Sequence, residues 1–359
     1  MQSLCYCLHS LNVTETWHAL HDTCHVTYEQ VLPVVMLVAV VTNVTNVTVL
    51  LLRAHPKGRP SPTPTRRYLL SLGVSHCFVS GVVVVGLAVR RRVGVTYALA
   101  FYLAHLEEPL YHVFNCSCSY IILGLSADRF RAVCRPDAYS AAEAYGKAPV
   151  RIALAYALPA VMYLPSCFSL SPVYSARHRG WGVAEGPIFK TPGWRAWSVL
   201  LEVVHRIVPC VFLVALNLRI LRAVARLKST RASMMLRGEA ARRAGGSRHE
   251  QRVIYLLLAL TLTFLLTNVP ATSLKMVYAL QNQHCLTNLG LEVARAIANG
   301  VEMAGVCSDF FLYFVMNPEY RRDLHALALS ACRLCACCAP LTARCPVKEE
   351  SGDQRSTQS

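Results

Sequence analysis

Seven stretches of mostly apolar residues recur along the chain, near 31–53, 67–89, 98–127, 149–170, 196–221, 253–280 and 289–316. A helix needs about 20 such residues to cross a hydrocarbon core ~30 Å thick. Inside that core each backbone N–H and C=O must be paired within the protein, so seven separate spans predict seven helices. With 54% hydrophobic and 16% charged residues in 359, the composition is that of a polytopic membrane protein. The fold class expected is all-α, a seven-transmembrane helix bundle. The second, third and seventh stretches carry polar residues and stand out less.

Basic residues set the orientation. The first thirty residues hold no Lys or Arg. The connection after the first span carries Arg53, Lys57, Arg59, Arg66 and Arg67, and the one after the third carries Arg131, Arg135, Lys147 and Arg151. The one after the fifth runs from Arg222 through Arg226, Lys228, Arg231, Arg237, Arg242, Arg243 and Arg248 to Arg252. With alternating helices these three share one side, which predicts a multi-pass plasma-membrane protein with its N-terminus outside. Arg90, Arg91 and Arg92 are the exception, as ligand or lipid contacts or a weak departure from the rule. The net charge of +16 thus reads as a topology signal, and nucleic acid is not an expected partner.

MQSLCYCLHS lacks a basic start and a small-residue cleavage site, so the first span is expected to act as its own insertion signal. Asn12 opens a glycosylation sequon on the outer side. Asn43 and Asn46 open two more, but within the first span, where they are structural. Cys5, Cys7, Cys24, Cys167 and Cys285 fall on or near the oxidising side, with their pairing open. On the inner side CRLCACC places Cys332, Cys335, Cys337 and Cys338 just past the last span, and Cys345 follows. Palmitoylation is the expected role there. Unmodified thiols come next, and a zinc site last, because the cluster has no second half.

The third span ends in LSADRFRAVCRP, residues 125–136. An Asp-Arg pair, an aromatic residue and then Val-Cys-x-Pro at a membrane exit resemble the DRY motif of rhodopsin-like (class A) G-protein-coupled receptors. That resemblance, over about residues 31–331, makes Asp128, Arg129 and Phe130 the coupling motif. A buried Arg needs a carboxylate to offset its desolvation, and Asp128 is its neighbour. Glu250, at the start of the sixth span in RHEQRVIYLLL, is either a lock on that Arg or a solvated acid favouring the helix dipole. In the family, activation moves helix six outward and frees the Arg for the G protein.

Pro209 and Pro270 are expected to kink helices five and six. Asn217 stands where relatives usually carry Tyr, and Asn268 where many carry a toggle Trp. With VPC in helix five, MYLPSCF in helix four and AIANGVEMAGVCSDFFLYF in helix seven, these features resemble the FMRFamide-receptor-like neuropeptide branch. Relatives there read Asn-Phe-Phe-Leu-Tyr where the wider family reads Asn-Pro-x-x-Tyr. Here the stretch is Asp309-Phe310-Phe311-Leu312-Tyr313, which makes Tyr313 the switch tyrosine. Asn317-Pro318 then begins a short amphipathic eighth helix seated by Tyr320, since Pro is well tolerated in a first turn. The organisation expected is an extracellular tail 1–30, a bundle 31–316, helix eight 317–331 and a cytoplasmic tail 332–359.

Several positions depart from the family pattern. His76 replaces the sodium-binding Asp of helix two, Cys118 the usual Ser of helix three, and Asp309 the Asn of helix seven. Intramembrane ionisable groups are normally paired, so a His76–Asp309 hydrogen bond in place of a sodium pocket is one reading. Two independently satisfied polar groups are the other. Ala104 occupies the position of the family's helix-three Cys, the 171–195 loop contains no Cys, and helix four lacks its usual Trp.

Tyr111 stands where amine receptors place Asp, and Met303 where opsins carry the retinal Lys, so neither ligand class is expected. Glu107 and Glu108 near the mouth, with Tyr111, His112 and Asn115 deeper, suit a peptide ending in Arg-Phe-amide. Glu107 and Glu108 pairing with the outer Arg residues is the alternative. Glu202 on helix five, Asn268 and Lys275 on helix six, and Asn299 and Glu302 on helix seven complete the candidate pocket, with Glu202 and His205 facing inward or lipid, and Met276 and Arg295 lying near them in sequence. The expected partners are an extracellular peptide, a heterotrimeric G protein and membrane lipid, with no cofactor, metal or enzymatic activity. The alternatives are a divergent receptor that has lost coupling and, behind it, a transporter, for which no repeat or broken helix pair is visible.

Overall fold

In a computed structural model the protein is described at Asp22 and over residues 25–52, 63–90, 95–176, 180–235, 244–281 and 289–334. Asn12 and the cysteines 5, 7, 24, 285, 335, 337 and 338 lie outside these residues, as do the side chains of Glu250 and Cys332.

The seven apolar stretches are helices. They are α1 (Leu32–Leu52), α2 (Pro64–Arg90), α3 (Tyr97–His105, then Glu107–Cys134 after a break at Leu106) and α4 (Ala141–Tyr163). Next come α5 (Pro192–Glu202, a π turn Val203–Ile207, then Val208–Met235), α6 (Ala244–Gln281) and α7 (Leu289–Met316). α8 (Pro318–Leu334) follows after one residue. Six helices among the described residues are long and apolar enough to cross a membrane, and α7 falls outside the six. Glu302 and Asp309 in its buried face dilute its hydropathy.

α3, α5 and α6 extend beyond the stretches at 98–127, 196–221 and 253–280. Hydropathy marks only the part of a helix that meets hydrocarbon, while the polar turns beyond it keep helical hydrogen bonding. α2 packs against α1, α3 and α4, α3 against α4 and α5, and α6 and α1 against α7. The apolar core is divided among clusters, one with Tyr68, Leu72, Ile121, Leu213, Leu257 and Tyr313 and another with Met36, Val79, Val83 and Met303.

The chain between α4 and α5 forms an antiparallel hairpin of β1 (Leu170–Ser175) and β2 (Gly180–Glu185), with Val173 opposite Gly182. Its Trp181 pairs with Val95 and meets Tyr97 and Tyr174 edge-on, at ring-centroid distances of 4.9 and 5.6 Å. His105 Nδ1 lies 2.6 Å from the Cys167 carbonyl oxygen, a second tie between α3 and the chain entering the hairpin. Cys167 itself is a free thiol. The hairpin marks one end of the bundle, and α8 lies at the other.

Candidate functional site

Pro209 has no N–H to donate to the carbonyl four residues earlier, and the turn before it, Val203–Ile207, is a π turn. Extra residues per turn shift the helical phase there, so that the neighbours His205 and Arg206 are both buried. The Tyr120 hydroxyl on α3 donates to the Val204 carbonyl at 3.1 Å, satisfying an acceptor within the irregular turn.

Arg206, 1% exposed, is the centre of a buried ionic cluster. Its Nη2 donates to Glu302 Oε1 on α7 at 2.7 Å, its Nη1 to Asn268 Oδ1 on α6 at 3.3 Å, and its Nε lies 3.1 Å from Glu202 Oε2. Lys275 Nζ on α6 reaches Glu302 Oε2 at 3.3 Å. From α3, the Tyr111 hydroxyl and Asn115 Nδ2 both point to Glu302 Oε1 at 3.4 Å. The cluster thus joins α3, α5, α6 and α7 in their halves nearer the hairpin. Arg206 was not singled out by sequence reasoning, although its i,i+4 partner Glu202 and its neighbour His205 were. An Arg and a Glu one turn apart inside an apolar helix were the available signal, since such groups are costly at that depth.

Rings pack beside the cluster. His112 stacks on Tyr163 with centroids 4.9 Å apart, and His205 Nδ1 lies 2.7 Å from the Tyr163 hydroxyl oxygen. Asn299 Nδ2 donates to the hydroxyl of Tyr28, in the π-helical segment His25–Val31 that precedes α1, at 3.1 Å. Glu107 is buried and paired with Arg90, the arrangement weighed above as the alternative to a ligand contact. It packs over Gly86, where an added Cβ would collide with its Oε1. Glu108 is exposed. The acidic lip expected at the mouth therefore divides into one paired acid and one exposed acid.

Deeper in the bundle, His76 Nδ1 on α2 lies 3.2 Å from Asp309 Oδ2 on α7, without the alignment of a hydrogen bond. Cys118 on α3 is the third side chain of this group, beside His76. Asn43 on α1 donates to the Val306 carbonyl at 2.9 Å, which fixes α1 against the same part of α7.

At the end away from the hairpin, the partner of Asp128 is Arg151 on α4 rather than its neighbour Arg129. Adjacent residues on a helix point about 100° apart, so Asp128 faces α4, where Arg151 also lies beside Tyr68. Phe130 packs against the core. Asn217 Nδ2 donates to Thr261 Oγ1 at 2.8 Å, joining α5 to α6. Tyr313 is buried and meets Tyr320 edge-on at 5.7 Å, and the Tyr320 hydroxyl donates to Asn46 Oδ1 on α1. Asn317 caps α8, its Oδ1 accepting from the N–H groups of Glu319 at 3.1 Å and Tyr320 at 3.2 Å. α6 and α8 flank a cleft of about 640 Å³ lined by Arg252, Pro318, Glu319, Arg321, Arg322 and His325.

Comparison with known proteins is consistent with this architecture. The model of the 7 transmembrane receptor (rhodopsin family) matches residues 45–304. A Caenorhabditis elegans protein named "Probable G-protein coupled receptor B0563.6" is 24% identical over 311 residues, 83% of this chain and 68% of that protein. A second, "Probable G-protein coupled receptor AH9.1" from the same organism, is 26% identical over 255 residues, 65% of this chain and 59% of that protein.

Proposed function

From its membership of the rhodopsin family of seven-transmembrane receptors, to which this chain belongs, we propose that the protein binds an extracellular peptide and activates a heterotrimeric G protein. The hairpin end faces outward in this reading, in keeping with the Lys- and Arg-free first thirty residues and the basic connections at the other end. Asn12 is the glycosylation site, and the cysteines from Cys332 to Cys338 carry acyl chains that hold α8 to the inner leaflet.

The observation that carries the proposal is the cluster of Arg206, Glu302, Lys275, Asn268, Tyr111 and Asn115. Charges placed inside an apolar bundle cost stability, and a receptor keeps them where a ligand's polar groups read them. Aromatic rings of His112, Tyr163 and Tyr111 beside those charges suit a ligand with both a charged and an aromatic end, such as an FMRFamide-like peptide. At the opposite end, Asp128, Arg129 and Phe130 with Tyr313 form the coupling motif, and the basic cleft between α6 and α8 favours an acidic partner segment.

A panel of amidated neuropeptides applied to cells expressing the full chain, with calcium and cAMP readouts, tests this. A peptide response that is lost on Arg129→Ala is the expected result. Silence to every peptide, together with no basal activity, would instead indicate a receptor that has lost coupling.

A further inference from the structure

We infer that Glu302 is the anchor for a cationic group of the ligand, which binds by taking the place of Lys275. The inference rests on the reading that the hairpin end receives an extracellular ligand, and it names the ligand's charge and the residue that meets it.

The argument is one of charge balance. Glu202 and Glu302 bring two negative charges and Arg206 one positive charge, so the triad, sealed at Arg206 and Glu302 and 17% exposed at Glu202, carries a net charge of −1. A buried net charge is strongly destabilising unless a counter-ion completes it. In the empty receptor that counter-ion is Lys275. His112 and His205, packed on Tyr163 beside the cluster, are counted neutral.

Lys275 is also the member able to leave. Its side chain is 26% exposed, against 1% for Arg206 and 3% for Glu302, and its contact of 3.3 Å is longer than the 2.7 Å of Arg206. Its four-carbon stem lets the ammonium swing into water at little cost. Arg206 is held by Glu202, Glu302 and Asn268 together and stays. Tyr111, Asn115 and Arg206 all address Oε1 of Glu302, so the departure of Lys275 opens Oε2 alone.

A guanidinium suits that oxygen best, being less strongly hydrated than an ammonium and presenting its donors in a rigid plane. A ligand carboxylate in the same place would deepen the negative charge and is rejected. Glu107 does not compete for the ligand cation, because Arg90 already neutralises it.

Chemical rescue tests the exchange without a known peptide. Full-length Lys275→Met receptor in lipid nanodiscs leaves the triad without its counter-ion. Its unfolding temperature should fall below wild type and be restored by millimolar n-butylguanidinium, but not by uncharged n-butylurea. In Lys275→Met/Glu302→Gln neither compound should act. Where Lys275→Met fails to reach the membrane, Lys275→Gln serves in the same comparison. No rescue, equal rescue by butylurea, or rescue that survives Glu302→Gln overturns the inference.

A second arm compares an Arg-Phe-amide peptide with its citrulline analogue. Glu302→Gln should weaken the arginine peptide by at least about tenfold and leave the citrulline peptide unchanged. A wild-type receptor silent to both peptides defeats the peptide reading, while the butylguanidinium comparison still decides the exchange.

Discussion

Arg206 of α5 donates to Glu302 of α7 at 2.7 Å, with both side chains sealed from solvent. Neither residue has a water-exposed alternative, so removing one leaves the other buried with an incomplete set of partners, Glu202 for Arg206 or Lys275 for Glu302. Arg206→Met and Glu302→Leu should each cost about 3–5 kcal/mol. The double substitution should cost clearly less than the sum, because each removes the charge that the other leaves unpaired. Thermal unfolding of the purified receptor in nanodiscs measures all three, and strict additivity would show that the pair is not coupled.

A comparable dependence holds at the far end of the bundle. Asp128 is 1% exposed and is neutralised by Arg151, whose side chain is 28% exposed. Because Arg151 is partly solvated, Arg151→Ala should cost less than the buried pair above, about 1–3 kcal/mol. Asp128→Asn removes the charge itself and should make Arg151→Ala nearly silent when the two are combined. The same unfolding assay reads both.

Gly86 leaves the space that Glu107 occupies beside Arg90. Gly86→Ala places a methyl group against the carboxylate, which must move off its partner. The expected loss is about 1–3 kcal/mol, the cost of a buried charge with a weakened partner. In a Glu107→Gln background, without that charge, Gly86→Ala should cost less than in wild type. Equal losses in the two backgrounds would mean that Gly86 serves packing alone.

His76 Nδ1 lies 3.2 Å from Asp309 Oδ2, both buried in the bundle. An imidazole beside the carboxylate fills the space a cation would need, so exchanging sodium for potassium should leave the unfolding temperature and basal signalling unchanged. His76→Asp, which supplies a second acid, should introduce sodium dependence. Sodium sensitivity in wild type that disappears with Asp309→Asn would refute the pairing.

Much of this architecture is legible in the sequence. Apolar stretches mark the helices because hydrocarbon imposes a minimum run, and Asn317-Pro318 marks the start of α8 because an Asn cap followed by Pro suits a first helical turn. His76 and Asp309 stand out as ionisable groups in apolar surroundings.

Arg206 escapes such reading for a physical reason. The face a helical residue presents follows from counting 3.6 residues per turn, and the π turn at Val203–Ile207 breaks that count. Arg151 escapes because its partner lies on a different helix, 23 positions away. The hairpin escapes because β1 and β2 are only six residues each, and their pairing depends on contacts with α3 that no local pattern contains.

The roof over the hairpin end has a consequence of its own. Trp181 leaning on Tyr97 and Val95, and His105 reaching the Cys167 carbonyl, hold it by hydrogen bonds and ring contacts. Thiol reductants have no purchase on such ties. Among the described residues, the hairpin is fastened to α3 by latches rather than by a weld.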